Sequence, residues 1–126
     1  MAGYTKVNFE EIDPAAQGEG FEGRFSRKYL DSRDLGVSRF RYGAGVRSQV
    51  AHRHREQEEA YYVAEGSGRA LLDGEVVELR VGDVLRVAPE TARAFEGGEN
   101  GIELIAIGGP KPEEGDGERV ELAWPD

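Results

Sequence analysis

Between Glu59 and Val87 the chain runs EAYYVAEG, GRALLD, EVVEL and DVLRVA, short stretches rich in β-branched and aromatic residues, each bounded by a turn signal. No helix of ordinary length fits such a rhythm, so consecutive antiparallel strands are predicted. Asp73-Gly74, between two apolar runs, is a type I′ hairpin signal, because that turn needs positive φ at both central residues. Gly82-Asp83 marks the next turn. The chain carries 18 glycines in 126 residues, about double the ~7% average, and tight turns are the usual reason for such an excess. An all-β single domain follows, since this length leaves room for one hydrophobic core.

The flanks extend the reading. Val7 to Ile12 alternates and is read as a peripheral strand, followed by the turn-rich connection DPAAQGEGFEG, so residues 1–23 form an N-terminal strand and loop arm. FSRKYLD and GVSRFRY are read as two strands split by Ser32 to Gly36. IELIAIG, after Asn100-Gly101, is an almost unbroken apolar run and is predicted to be a strand buried on both faces. The barrel thus spans 24–108. Residues 109–126 read as a solvated linker, GPKPEEGDGE, and a tail, RVELAWPD, in which Trp124 anchors onto the chain's own barrel or, alternatively, onto a neighbouring subunit.

Charge and composition exclude several classes. Twenty-five acidic against 16 basic residues give a net charge of −9, which repels a phosphate backbone, so no nucleic acid partner is expected. No apolar run approaches the ~20 residues of a membrane span, so no membrane partner is expected either. Without cysteine there is no disulfide framework, thiolate nucleophile or cysteine zinc site. The N-terminus lacks the basic-then-apolar order of a signal peptide, and a cytoplasmic location is expected.

The only two histidines, His52 and His54, lie two apart, and Glu59 follows after four residues. On a strand, residues two apart point to one face, close enough to share one cation. If the Arg55 to Glu58 loop turns the chain back, Glu59 faces both imidazoles and completes a two-histidine, one-carboxylate set. Tyr61 shares the parity of Glu59 and would line the same hollow as a substrate-binding residue. Read alone, HRHREQEE is more often a solvated charged loop than a ligand pair.

With the glycines on either side, these residues resemble the first motif of the cupin superfamily, G-x5-H-x-H-x3,4-E-x6-G. Gly45, His52, His54, Glu59 and Gly66 reproduce it with one extra residue after Gly45. The resemblance covers roughly Val37 to Gly108 and implies a double-stranded β-helix, or jelly-roll, barrel. It also implies a metal held by His52, His54 and Glu59, with iron, manganese, nickel, zinc and copper all compatible with those ligand types.

The second cupin motif departs. Gly82 is kept, but Ala88, Glu90, Arg93 and Gly97 occupy the positions of its Pro, Gly, His and Asn. A guanidinium cannot replace the fourth ligand, being a donor only and always protonated. At ~6 Å and an effective dielectric of ~20 it would repel a divalent ion by roughly 5 kcal/mol, a penalty that Glu59 between them would reduce. Alternation places Thr91, Arg93 and Phe95 on one face. Arg93 is therefore either a substrate-binding clamp for a carboxylate or phosphate, or the internal ion partner of Glu59. Arg39, Arg41 and Arg47 are read as solvated, and so is the Glu56 to Glu58 loop.

Two functions remain open: a metal-dependent enzyme acting on a small anionic metabolite, and a metal-free small-molecule-binding module. A homodimer is expected, with the N-terminal stretch and Trp124 supplying candidate contacts.

Overall fold

A computed structural model describes residues 3–126; Met1 and Ala2, the start of the predicted arm, lie outside the described residues. Nine strands form one curled antiparallel sheet: β1 (Ala16–Gly18), β2 (Phe21–Phe25), β3 (Gly36–Tyr42), β4 (Ala51–His54), β5 (Glu59–Leu72), β6 (Glu75–Arg80), β7 (Val84–Val87), β8 (Arg93–Gly108) and β9 (Gly117–Val120). No helix among the described residues is long and apolar enough to cross a membrane.

The long strands β5 and β8 pair along their whole length, from Glu59 opposite Gly108 to Leu72 opposite Arg93. The free edge of β5 takes β7 and then β6; the free edge of β8 takes β4 and then β3. β9 adds outside β4, and β2 and β1 add outside β3. The bend that curls this sheet lies where the β5–β8 register slips, between Val63 and Gly68. Gly66 sits there at φ +73°, and a Cβ on it would overlap the Gly101 carbonyl oxygen. The strands predicted as EAYYVAEG and GRALLD are therefore one strand broken by bulges, because the glycines bend the chain without ending its pairing.

Inside the curl, Tyr42, Tyr61, Val63, Ala70, Leu79, Val87, Phe95, Ile102, Leu104 and Ala106 form the main core. Alternation explains the selection: along β8, Ile102, Leu104 and Ala106 point inward while Ile107 is 44% exposed. IELIAIG is thus buried on one face, not two. A second cluster of Ala51, Leu71 and Ala94 lies on the other face and is covered by Val120, Leu122 and Trp124 of the tail. Trp124 packs within its own chain, between the guanidinium groups of Arg47 and Arg69 at 4.8 and 5.5 Å from the ring centroid. Both arginines also bind Glu96 and Asp126, which pins the end of the chain.

The N-terminal region differs from its prediction. Val7 to Ile12 is no strand: Asn8 and Glu11 form a capping box that winds Phe9–Glu11 into a 3-10 turn. The stretch read as a loop instead holds the β1–β2 hairpin, turned by Gly20 at φ +73°. FSRKYLD ends β2 and becomes a helical turn, Arg27–Leu30, closed by Asp31 in the left-handed conformation at its C-cap. Nor are the three arginines near Gly45 simply solvated. Arg39 is buried against Phe9 and binds Glu10 at 2.7 Å, Arg41 binds Glu103 at 2.6 Å, and Arg47 holds the tail.

Candidate metal centre

The histidines stand on β4, whose inner face carries His52 and His54 while Ala51 enters the second cluster and Arg53 faces solvent. Their rings lie 5.3 Å apart and nearly perpendicular. Glu59 opens β5 and meets them: its Oε1 is 3.3 Å from His54 Nε2 and 3.9 Å from His52 Nε2. One ligand atom from each of the three residues lies within 4.8 Å of the others. The constellation predicted from alternation is therefore assembled, and Tyr61 joins it by donating its hydroxyl to Glu59 Oε1 at 2.6 Å.

Arg93 lies inside the barrel with no exposed surface. Its NH1 donates to Glu59 Oε1 at 2.7 Å, NH2 to the Ala88 carbonyl at 2.6 Å, and Nε to the Thr91 carbonyl at 3.1 Å. The internal ion pair with Glu59 is formed, and every hydrogen bond of the side chain goes to the protein. Arg93 still leaves Glu59 Oε2 without a hydrogen bond in the protein.

Burial alone would raise the Glu59 pKa, but His52, His54 and Tyr61 outweigh it and hold the carboxyl well below the usual range. The Tyr61 hydroxyl moves the opposite way, pushed far up by burial and by the Glu59 charge, so it remains a proton donor. Glu59 and then Asp116 raise the His54 pKa, against burial and Arg93.

Asp116 was not legible in the sequence. It falls in the segment read as a solvated linker, yet it is 3% exposed and hydrogen-bonded to His54 Nδ1 at 2.8 Å. Its other oxygen accepts the backbone N–H groups of Glu56 at 2.7 Å and Gln57 at 2.8 Å. These bonds override burial and lower its pKa to about 2. They also tie down the loop that returns the chain from His54 to Glu59. Gln57, in a loop read as solvated, is buried and donates to the Gly109 carbonyl. One acid in a polar, glycine-rich stretch carries no local signal of such a role; only the pairing of β9 with β4 brings it in.

The set fits a divalent cation. His54 donates Nδ1–H to the Asp116 carboxylate, which leaves Nε2 as the lone-pair nitrogen. That nitrogen is buried and has no hydrogen-bond partner, since its approach to Glu59 lacks hydrogen-bond geometry. A buried, unsatisfied acceptor beside a second imidazole and a carboxylate is the donor arrangement a transition ion takes. The three residues open onto a cavity of about 1160 Å³ walled by Phe40, Tyr42, Phe95 and Ala106.

A family model described as "Cupin domain" matches residues 38–107. Among curated proteins, an uncharacterized protein of Methanocaldococcus jannaschii, MJ1618, is 38% identical over 47 residues, which is 37% of this chain. That match spans only 38% of the relative's own length. A cupin protein from Bacteroides fragilis superposes with a TM-score of 0.73 at 27% identity, over 90% of this chain and 89% of that one. Pac13 of Streptomyces, a nucleoside dehydratase, superposes with a TM-score of 0.76 over 94% of this chain and 92% of its own. At 20% identity that likeness speaks for the fold alone.

Proposed function

This chain belongs to the cupin family, and from that membership we propose that it is a metal-dependent barrel enzyme acting on a small anionic metabolite, with His52, His54 and Glu59 as ligands. The observation that carries the reading is the buried Nε2 of His54, 3.3 Å from Glu59 Oε1 but without a hydrogen bond, on a ring whose Nδ1 is held by Asp116. A divalent ion held there supplies Lewis acidity toward an oxygen of the bound molecule.

The chain's own groups prepare that position. Asp116 keeps the proton of His54 on Nδ1 and orients the ring. Arg93 and Tyr61 grip Glu59 Oε1 from the protein side, so the carboxylate stays ionised with Oε2 left over. The aromatic wall limits water around a bound molecule and raises the strength of each polar contact inside.

Metal analysis of protein purified without chelators or immobilised-metal resin tests this. Stoichiometric metal is expected, lost in His54→Ala and bound ~10- to 100-fold more weakly in Asp116→Asn. A second reading, a metal-free module that binds a metabolite without chemistry, is favoured by one specific contact, the 2.7 Å Arg93–Glu59 pair. Metal-free protein that takes up none of iron, manganese, nickel, zinc or copper would decide for that module.

A further inference from the structure

With Arg93 buried, the charge that meets an anion must come from elsewhere, and the sheet register supplies it. Leu72, Arg93, His52 and Arg119 are successive neighbours across β5, β8, β4 and β9. Directly paired residues share a face, so Arg119 stands beside His52 on the side that lines the cavity. Its neighbour Glu118 points the other way and binds Arg53 at 3.2 Å. Arg119 is exposed and has no carboxylate partner among the described residues.

The surroundings agree. Six cations line the cavity, Arg27, Lys28, Arg47, Arg93, Lys111 and Arg119, against the acids Asp13, Glu19 and Glu59. Arg47 and Arg93 are neutralised by Glu96 and Glu59, which leaves four cations without an acidic partner among the described residues. In a chain of net charge −9, this cavity is a local electropositive hollow. Deeper in, its wall is aromatic, with Phe40, Tyr42 and Phe95.

We infer that Arg119 is the anion-binding residue of the site, pairing the carboxylate or phosphate of an organic anion whose apolar body lies against Phe40, Tyr42 and Phe95. The planar guanidinium fork suits either head group. The inference rests on the cavity being the functional site proposed above, but not on a metal being present.

The test measures binding of phenylacetate, phenyl phosphate and the neutral phenylacetamide to the full chain, by calorimetry and ligand-observed NMR, with the protein chelated and then metal-loaded. One or both anions are expected to bind more tightly than the amide, the tighter of them identifying the head group. Arg119→Gln is expected to weaken the anions by roughly 10- to 100-fold and leave the amide unchanged. Arg119→Lys should recover part of the loss. The inference is overturned if the amide binds as well as the anions, if none of the three binds, or if Arg119→Gln weakens anion and amide alike. An Arg119-dependent anion preference in protein that takes up no metal would sustain this inference while removing the metal reading. Metal uptake without anion preference would do the reverse.

Discussion

Arg93 is a full positive charge with no access to water, met by the Glu59 carboxylate and by backbone carbonyls. Such a pair need not stabilise against apolar replacement, but removing one partner strands the other. Arg93→His should therefore do two things at once. Metal affinity should rise, because a ligand is added and a cation removed, and stability should fall by about 2–4 kcal/mol as buried acceptors lose their donor. Competition titration with a chromophoric chelator and urea unfolding read the two effects separately. Equal or weaker metal binding would contradict the assignment of position 93 to the centre. That Arg93 shares a face with Thr91 and Phe95 was legible in the sequence from strand alternation; that this face is the interior is shown by its burial. Whether it grips a ligand or Glu59 was not legible, because that depends on how closely β5 and β8 approach.

At the scale of elements, the bend of β5 and β8 rests on backbone that tolerates no side chain. Gly66→Ala meets both an unfavourable φ and the Gly101 carbonyl, and is expected to cost about 2 kcal/mol or more in urea unfolding. Gly74→Ala has a similar positive φ but open space around it, so only the conformational cost, about 1 kcal/mol, should appear. Similar losses from the two would remove the steric argument for the bend. The hairpin at Asp73-Gly74 was legible because its cause is local: both residues have positive φ. The N-terminal strand was misread for a related reason. Val7 to Ile12 alternates as a strand does, but the Asn8–Glu11 capping box is a stronger local interaction and wins.

At the scale of the whole molecule, residues 116–126 complete a candidate site whose proposed ligands all lie between positions 52 and 59. A chain ending at residue 109 keeps His52, His54 and Glu59 but loses Asp116 and Arg119. It is expected to bind metal at least ~10-fold more weakly than the full chain. Unchanged affinity in a truncated chain that still folds, judged by circular dichroism, would show that Asp116 does not position His54. The docking of this tail depends on pH. Arg69 and Arg47 hold the Asp126 carboxyl of the tail below its ordinary value against the opposing effect of burial, so the interaction is present above pH ~3.9 and is lost as pH falls through the lowered pKa. Trp124 is the only tryptophan, so its emission should shift to the red over that acid range, and at milder pH in high salt. Emission that stays constant until global unfolding would mean the tail is held by apolar packing alone.

The sequence by itself determined the all-β class, the main turns, the shared parity of His52 with His54 and of Glu59 with Tyr61, and, through the cupin resemblance, the loss of the fourth ligand at Arg93. The class, the turns and the parity follow from interactions within a few residues, through the two-residue period of a strand or the φ preference of a turn, whereas the missing fourth ligand is what the resemblance to the second cupin motif implies. Only the tertiary structure decided that Arg93 pairs with Glu59, that Asp116 orients His54 from 62 positions away, and that Arg119 stands beside His52. These pairings are fixed by strand register between distant segments, and a polar tail with no periodic signal of its own takes its place only once β4 offers it an edge.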